Sequence, residues 1–103
     1  MGRIVVIGST NTDMVVKSKK IPAPGETIIG GTFFMNPGGK GANQAVAAAR
    51  LKGNVTFVTK TGNDYFSEQA RHIFDFEQID TRYMVKDPKN PSGIALIMVD
   101  QNG

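Results

Sequence analysis

The 103-residue chain carries twelve Lys and Arg residues against nine Asp and Glu, a net charge of +3, and 40% of its residues are hydrophobic. These values are typical of one globular domain, and the scattered basic residues lack the aromatic-flanked clusters of a nucleic-acid interface. Cysteine is absent and no apolar run is long enough to span a membrane, so we predict a cytoplasmic protein with neither disulfides nor thiolate metal sites.

The first third of the chain predicts three strands. Residues 3–9 are a continuous β-branched run, a pattern typical of a strand that is buried on both faces of a parallel sheet. Strands 13–19 and 27–36 follow without a helix between them, and Gly30 and Gly31 predict a bulge or bend in the second of these. We therefore predict a small β flap attached to a main body.

From residue 42 onward, helical and strand patterns alternate. The predicted elements are helix 42–52 with Gly53 at its C′ position, strand 54–62, helix 63–78 with Asn63 or Asp64 as its N-cap, and strands 81–87 and 92–100. Strands that are joined through helices pair in parallel, so this part of the chain predicts an α/β fold.

The last residues, Asp100 to Gly103, contain Asn-Gly, a strong signal for a hairpin turn. A hairpin turn is followed by a returning strand. We therefore expect this chain to be a truncated part of a longer protein.

The motif Gly38-Gly39-Lys40-Gly41 directly precedes an alanine-rich helix. It is neither a Walker A loop, because Gly41 stands where Ser or Thr is required, nor a dinucleotide fingerprint, because Gln44 replaces the third glycine. Two interpretations remain open. The glycines permit a tight entry into the helix, or they let a polar ligand approach the backbone at a helix N-terminus.

Asn11 and Asp13 follow the first strand, at the edge of an open α/β sheet where ligands bind. Residues two apart in an extended segment project to the same side, so an amide and a carboxylate would lie together and suit neighbouring hydroxyls of a polyol. The alternative is a pair of turn-forming residues that leave a strand. Both interpretations stand at this point.

Five segments together resemble the ribokinase family of carbohydrate kinases, in the order and spacing of that family. They are VVIGSTNTD, IPAPGETI, GGKGANQAVAAAR, TGND and SGIALIMV, and they span nearly the whole chain. One departure is Lys52, where the family has a small residue. The resemblance implies a three-layer α/β body with a small β lid, of which residues 1–103 form the N-terminal part, with lid strands at about 13–36 and 92–103.

The resemblance also implies an activity for the complete protein: phosphorylation of D-ribose at O5 by ATP, with Mg²⁺ and K⁺, in a homodimer paired through the lid strands. Two alternatives remain. One is a related kinase that acts on fructose, a nucleoside or another sugar, and the other is a short, non-catalytic sugar-binding protein.

Carried over by position, the sugar-binding residues that the resemblance implies are Asn11, Thr12, Asp13, Gly39, Lys40, Gly41, Ala42, Asn43 and Ala95. The family's catalytic base, nucleotide loops and cation site lie in its later half, and nothing in this chain matches them. We therefore expect the chain to carry the sugar-binding half of the complete protein and to have no kinase activity by itself.

Overall fold

The computed structural model describes residues 2–103, which form two sheets and two helices. In chain order the elements are β1 (Arg3–Ile7), β2 (Asn11–Lys17), β3 (Thr32–Gly38), α1 (Lys40–Arg50), β4 (Asn54–Gly62), α2 (Tyr65–Phe76), β5 (Met84–Asp87) and β6 (Gly93–Val99). The first sheet has the strand order β1-β4-β5, and the second sheet has the order β3-β2-β6.

The first sheet is parallel, as the alternation of helix and strand predicts. Val6 of β1 lies beside Phe57 of β4, and Thr59 of β4 lies beside Met84 of β5. Helix α1 connects β3 to β4, and α2 connects β4 to β5.

Both helices pack on the same face of the first sheet and form the core with it. The rings of Phe57 and Phe74 meet edge to face with centroids 5.4 Å apart, and both side chains are at most 1% exposed. The other buried apolar residues of this cluster are Val6, Ala42, Ala45, Val55, Ala70, Ile79 and Met84. The small alanines let α1 approach the sheet closely.

The opposite face of the first sheet is open within residues 2–103. Ile7 is 78% exposed, and Val5 and Val85, on the same face, are more than half exposed. The prediction of a first strand that is buried on both faces is therefore wrong for these residues. The β-branched run describes the strand correctly, but no element among residues 2–103 covers its second face. The strand also ends at Ile7, two residues before the predicted boundary.

The second sheet contains the predicted flap strands and, beside them, the last strand. Its central strand β2 pairs antiparallel with β3 and parallel with β6. The bend expected at Gly30 and Gly31 is instead the end of regular structure, because both residues adopt positive φ angles near 100° and β3 begins only at Thr32. β3 is an edge strand, where Pro37 is tolerated.

Helix α1 begins at Lys40, two residues before the predicted start, and its C-cap is Leu51. The C′ position is occupied by Lys52 with a φ of 70°, so the prediction of Gly53 at C′ is wrong. Gly53 is required for a different reason. A Cβ atom there would lie 2.8 Å from the Ala48 carbonyl oxygen and 2.9 Å from Cδ1 of Ile4.

Helix α2 follows the prediction closely. Asp64, one of the two predicted N-caps, accepts a hydrogen bond from the Ser67 amide, and the Ser67 hydroxyl accepts one from the Asp64 amide in return, which completes a capping box. Ala70 and Phe74 face the core as the helical spacing predicts.

The turn after α1 generates a stability prediction. Replacing Lys52 by Gly should raise the free energy of unfolding by about 0.5 to 1 kcal/mol, because glycine adopts positive φ without the Cβ penalty. Gly53→Ala should lower it, because the new Cβ meets backbone at 2.8 Å. Urea denaturation measures both.

Lys52→Ala is the matched control, since it removes the charge and keeps the Cβ atom. If Lys52→Gly is no more stable than Lys52→Ala, the positive φ is not the cause.

Candidate functional site

Asn11 and Asp13 lie in strand β2 rather than in a loop that follows the first strand. Their side chains project to the same face, as residues two apart in a strand must, and Nδ2 of Asn11 donates a hydrogen bond of 2.8 Å to Oδ1 of Asp13. Both side chains are half-buried. The amide and the carboxylate therefore form one polar pair with free acceptor capacity.

The strand register places further residues beside this pair. Asp13 lies opposite Asn36 of β3 and beside Ala95 of β6, so these three residues form one row across the second sheet. Asn36 is exposed and was not among the predicted site residues. The predicted hairpin of β2 and β3 indicated that a residue of β3 would lie opposite Asp13. The sequence did not determine the register, so it did not identify that residue as Asn36.

A second row consists of Gly38, Asn11 and Gly93. It lies two residues closer to the first sheet along β2. A Cβ atom on Gly38 would lie 2.6 Å from both carboxylate oxygens of Asp13. The missing side chain at this position therefore makes room for the Asp13 carboxylate. Gly38 supports the pair, a role that the sequence analysis did not assign.

The glycine turn is also required by local packing. Gly39 is the N-cap of α1 with a φ of 98°, and a Cβ atom there would lie 2.7 Å from the Ser9 carbonyl oxygen and 3.0 Å from Oδ1 of Asn11. A Cβ atom on Gly41 would lie within 2.7 Å of the Gly8 backbone. The contact between Gly39 and Asn11 brings the start of α1 to the polar pair.

The first turn of α1 supplies the remaining predicted polar groups. Lys40 and Asn43 are exposed, and the backbone amide of Asn43 donates to the Gly39 carbonyl oxygen. No acidic residue in this turn offsets the positive end of the helix dipole. Asn43 also lines a groove of about 590 Å³ between α1 and α2, together with Asn36.

Three predicted residues have other surroundings. Gly41 and Ala42 are buried, and the Ala42 amide donates to the Ser9 carbonyl oxygen, so their side of the turn packs against the end of β1. Thr12 lies on the opposite face of β2 from Asn11 and Asp13 and lines a small cavity with Phe66 of α2. The structure thus brings together Asn11, Asp13, Gly39 and Ala95, and it directs the Thr12 side chain away from them.

A buried contact holds the base of β2 to the first sheet. The hydroxyl groups of Thr10 and Thr59 are 2.9 Å apart and share a hydrogen bond, and both residues are buried. The polar pair therefore stands directly beside the junction of the two sheets.

Residues 2–103 contain neither a candidate metal cluster nor a membrane-spanning helix. No group of three or more His, Cys, Asp or Glu side chains is arranged to hold a metal ion in this part of the chain. Neither of its helices is long and apolar enough to cross a membrane.

Comparison with known proteins gives consistent matches along the chain. It is 44% identical over 99 residues to ribokinase of Bacillus subtilis (strain 168) and 41% identical over 99 residues to deoxyribokinase of Salmonella typhi. Each alignment covers 96% of this chain, but only 34% and 32% of the respective relative.

Solved structures agree with these matches. The structure of Arabidopsis thaliana ribokinase complexed with ribose and ATP is similar with a TM-score of 0.88 at 33% identity, over 98% of this chain and 33% of that one. The expected ribokinase-like α/β fold is thereby confirmed. The chain spans about a third of the length of the relatives that it matches.

A family model described as "pfkB family carbohydrate kinase" matches residues 1–103, which is the entire chain. The chain therefore belongs to the pfkB family of carbohydrate kinases.

Proposed function

We propose that this chain is the sugar-binding part of a kinase that transfers a phosphoryl group from ATP to O5 of D-ribose. The observation that carries the proposal is the Asn11–Asp13 pair, with its 2.8 Å hydrogen bond, beside the glycine turn that opens α1. Ribokinases of similar sequence, one of them solved with ribose and ATP, support the choice of sugar and phosphoryl donor.

The proposed roles follow from the chemistry of the side chains. The Asp13 carboxylate accepts hydrogen bonds from two neighbouring hydroxyl groups, and Asn11 can both donate and accept. Lys40 and Asn43 add donors from the first turn of α1. Ala95, beside Asp13, has a side chain small enough to leave room for a sugar ring. These residues bind and orient the sugar, and none of them is proposed as a catalytic base.

ATP, Mg²⁺ and K⁺ are part of the proposal for the complete protein. In the described part of the chain, no cluster of candidate ligands fits a metal ion, so none of these residues is assigned to Mg²⁺ or K⁺. We also propose a cytoplasmic location, where ATP is available.

A second candidate sugar is 2-deoxyribose, because the Salmonella typhi deoxyribokinase is almost as similar to this chain as the Bacillus subtilis ribokinase. Titration with D-ribose, 2-deoxyribose, fructose and adenosine, compared by dissociation constant, separates these candidates. If the chain binds none of these four compounds, the result would favour a protein without a sugar site.

The polar pair generates the first functional prediction. Asp13→Asn should weaken D-ribose binding about tenfold or more, because each hydrogen bond to a charged group contributes roughly 1.5 to 3 kcal/mol. The substitution keeps the shape of the side chain and its contact with Asn11. Isothermal titration calorimetry measures the change.

Asp100→Asn makes the same chemical change beyond the far end of β6 and serves as the control. Unchanged affinity in a folded Asp13→Asn variant would refute the role of this carboxylate.

A second prediction concerns catalysis. The 103-residue chain should release no ADP from MgATP in the presence of D-ribose, because phosphoryl transfer requires nucleotide, metal and base to converge on one hydroxyl group. Bacillus subtilis ribokinase, assayed in parallel, is the positive control. Turnover by the short chain would show that its own residues carry catalysis.

We also propose that the second sheet acts as a lid over the sugar and pairs with a second copy of the chain. Its edge strands β3 and β6 carry exposed apolar side chains, of which Leu96, at 79% exposure, is the most exposed. Exposed apolar surface of this kind favours association.

Adjacent residues on β6 test the dimer and identify its face. Leu96 and Ile97 project to opposite faces of the second sheet. The substitution to Asp that lies on the interface face should convert dimers to monomers, because it buries a charge there. Whichever of Leu96→Asp and Ile97→Asp has this effect identifies the face. Sedimentation velocity measures the mass. Phe76→Asp, on α2, is the control, because Phe76 is also exposed but lies outside the second sheet. If neither β6 variant changes the mass, the second sheet is not the interface.

A further inference from the structure

Asp64 makes more hydrogen bonds than its role as an N-cap requires. Its Oδ1 accepts from the Ser67 amide at 3.0 Å, which caps α2, and also from the Ser92 hydroxyl at 2.7 Å. Its Oδ2 accepts from the Ser92 amide at 2.8 Å. One carboxylate therefore holds both the start of a helix and a residue twenty-eight positions further along the chain.

Ser92 is locked on its other side as well. It is only 8% exposed, and its hydroxyl oxygen accepts a hydrogen bond of 3.0 Å from the Gly62 amide at the end of β4. A Cβ atom on Gly62 would lie 2.4 Å from the Ser92 nitrogen. The segment before β6 is thus pressed against the end of β4 and bonded to the start of α2.

The position of Ser92 connects this lock to the polar pair. The next residue, Gly93, is the first of β6 and lies beside Asn11, and Ala95 lies beside Asp13. The chain enters the second sheet at this point. Fixing Ser92 to the first sheet therefore fixes the end of β6 that borders the candidate sugar site.

We propose that the Asp64–Ser92 pair is a positioning latch, which holds the β6 edge of the second sheet in register with the body of the protein. The proposal has a second part, which rests on the proposed function: the latch maintains sugar affinity through Asn11 and Asp13. Asp64 and Ser92 act through β6 and do not themselves touch the sugar.

The helix cap alone does not explain these contacts. The capping box is complete with the bonds between Asp64 and Ser67, whereas Oδ2 of Asp64 bonds to Ser92 alone among the described side-chain contacts. Hydrogen bonds, with that from the Ser92 amide as the largest cause, hold the pKa of the Asp64 carboxyl below its usual range. The latch is therefore ionised at neutral pH, which keeps both oxygens available as acceptors.

Asp64→Ser separates the latch from the cap in the full chain. Serine is a good N-cap, but its single hydroxyl oxygen cannot accept from the amide and the hydroxyl of Ser92 while it also caps α2, a task that the two carboxylate oxygens of Asp64 share. Ser92→Ala removes the other side of the latch and is a second, independent variant. Ser67→Ala is the matched control, because it removes half of the capping box and leaves the bonds between Asp64 and Ser92 in place.

Native-state hydrogen exchange of the β6 amides measures the latch without any ligand. Exchange should accelerate about tenfold in Asp64→Ser and in Ser92→Ala, as expected for the loss of one hydrogen bond to a charged group. In Ser67→Ala only the first amides of α2 should exchange faster. Unchanged β6 exchange in both latch variants, or an equal increase in Ser67→Ala, would overturn the latch.

D-ribose titration of the same proteins tests the second part. The dissociation constant should rise about tenfold in the two latch variants and stay unchanged in Ser67→Ala. Accelerated β6 exchange with unchanged D-ribose affinity would overturn the link to the sugar site. If the unsubstituted chain binds no D-ribose, the proposed function and its link to the latch both fail, and the exchange result still decides whether the latch exists.

Discussion

The position of helix α1 depends on the close approach of two glycine backbones, Gly8 directly after β1 and Gly41 in the first turn of α1. A Cβ atom on either residue would lie within 2.8 Å of the backbone of the other. This contact sets the distance between α1 and the first sheet. It also sets the direction in which the chain passes from β3 into α1. It therefore also sets where Gly39 meets Asn11, so the candidate site depends on a contact that contains no side chain.

That constraint changes the meaning of the glycine motif. A glycine-rich entry into a helix suggests either a tight turn or an open approach for a ligand, and here local packing accounts for Gly38, Gly39 and Gly41. Gly38 makes room for Asp13, Gly39 has a positive φ, and Gly41 contacts Gly8. The glycines therefore carry no independent evidence for a ligand. The functional argument rests on the polar side chains that the turn brings together.

Local patterns predicted the elements well and their surroundings poorly. The parallel sheet, both helices and the Asp64 cap follow from periodicity and capping chemistry, because these depend on neighbours in sequence. The exposure of Ile7 depends on whether another segment covers β1, and no local pattern carries that information. The same is true of the β2–β3 register, which determines that Asn36 faces Asp13 and that Thr12 faces α2.

The pairing of β2 also has a consequence for the order of folding. Its contacts with β3 close a short loop, whereas its contacts with β6 join Asn11 to Gly93, 82 positions further along the chain. Closing a longer loop costs more conformational entropy, and distant pairings form slowly. We therefore expect the hairpin of β2 and β3 to form before β6 is added to it. The row that contains Asp13 is complete only once β6 has joined β2, so a ligand that binds across this row would report that late step rather than collapse of the core.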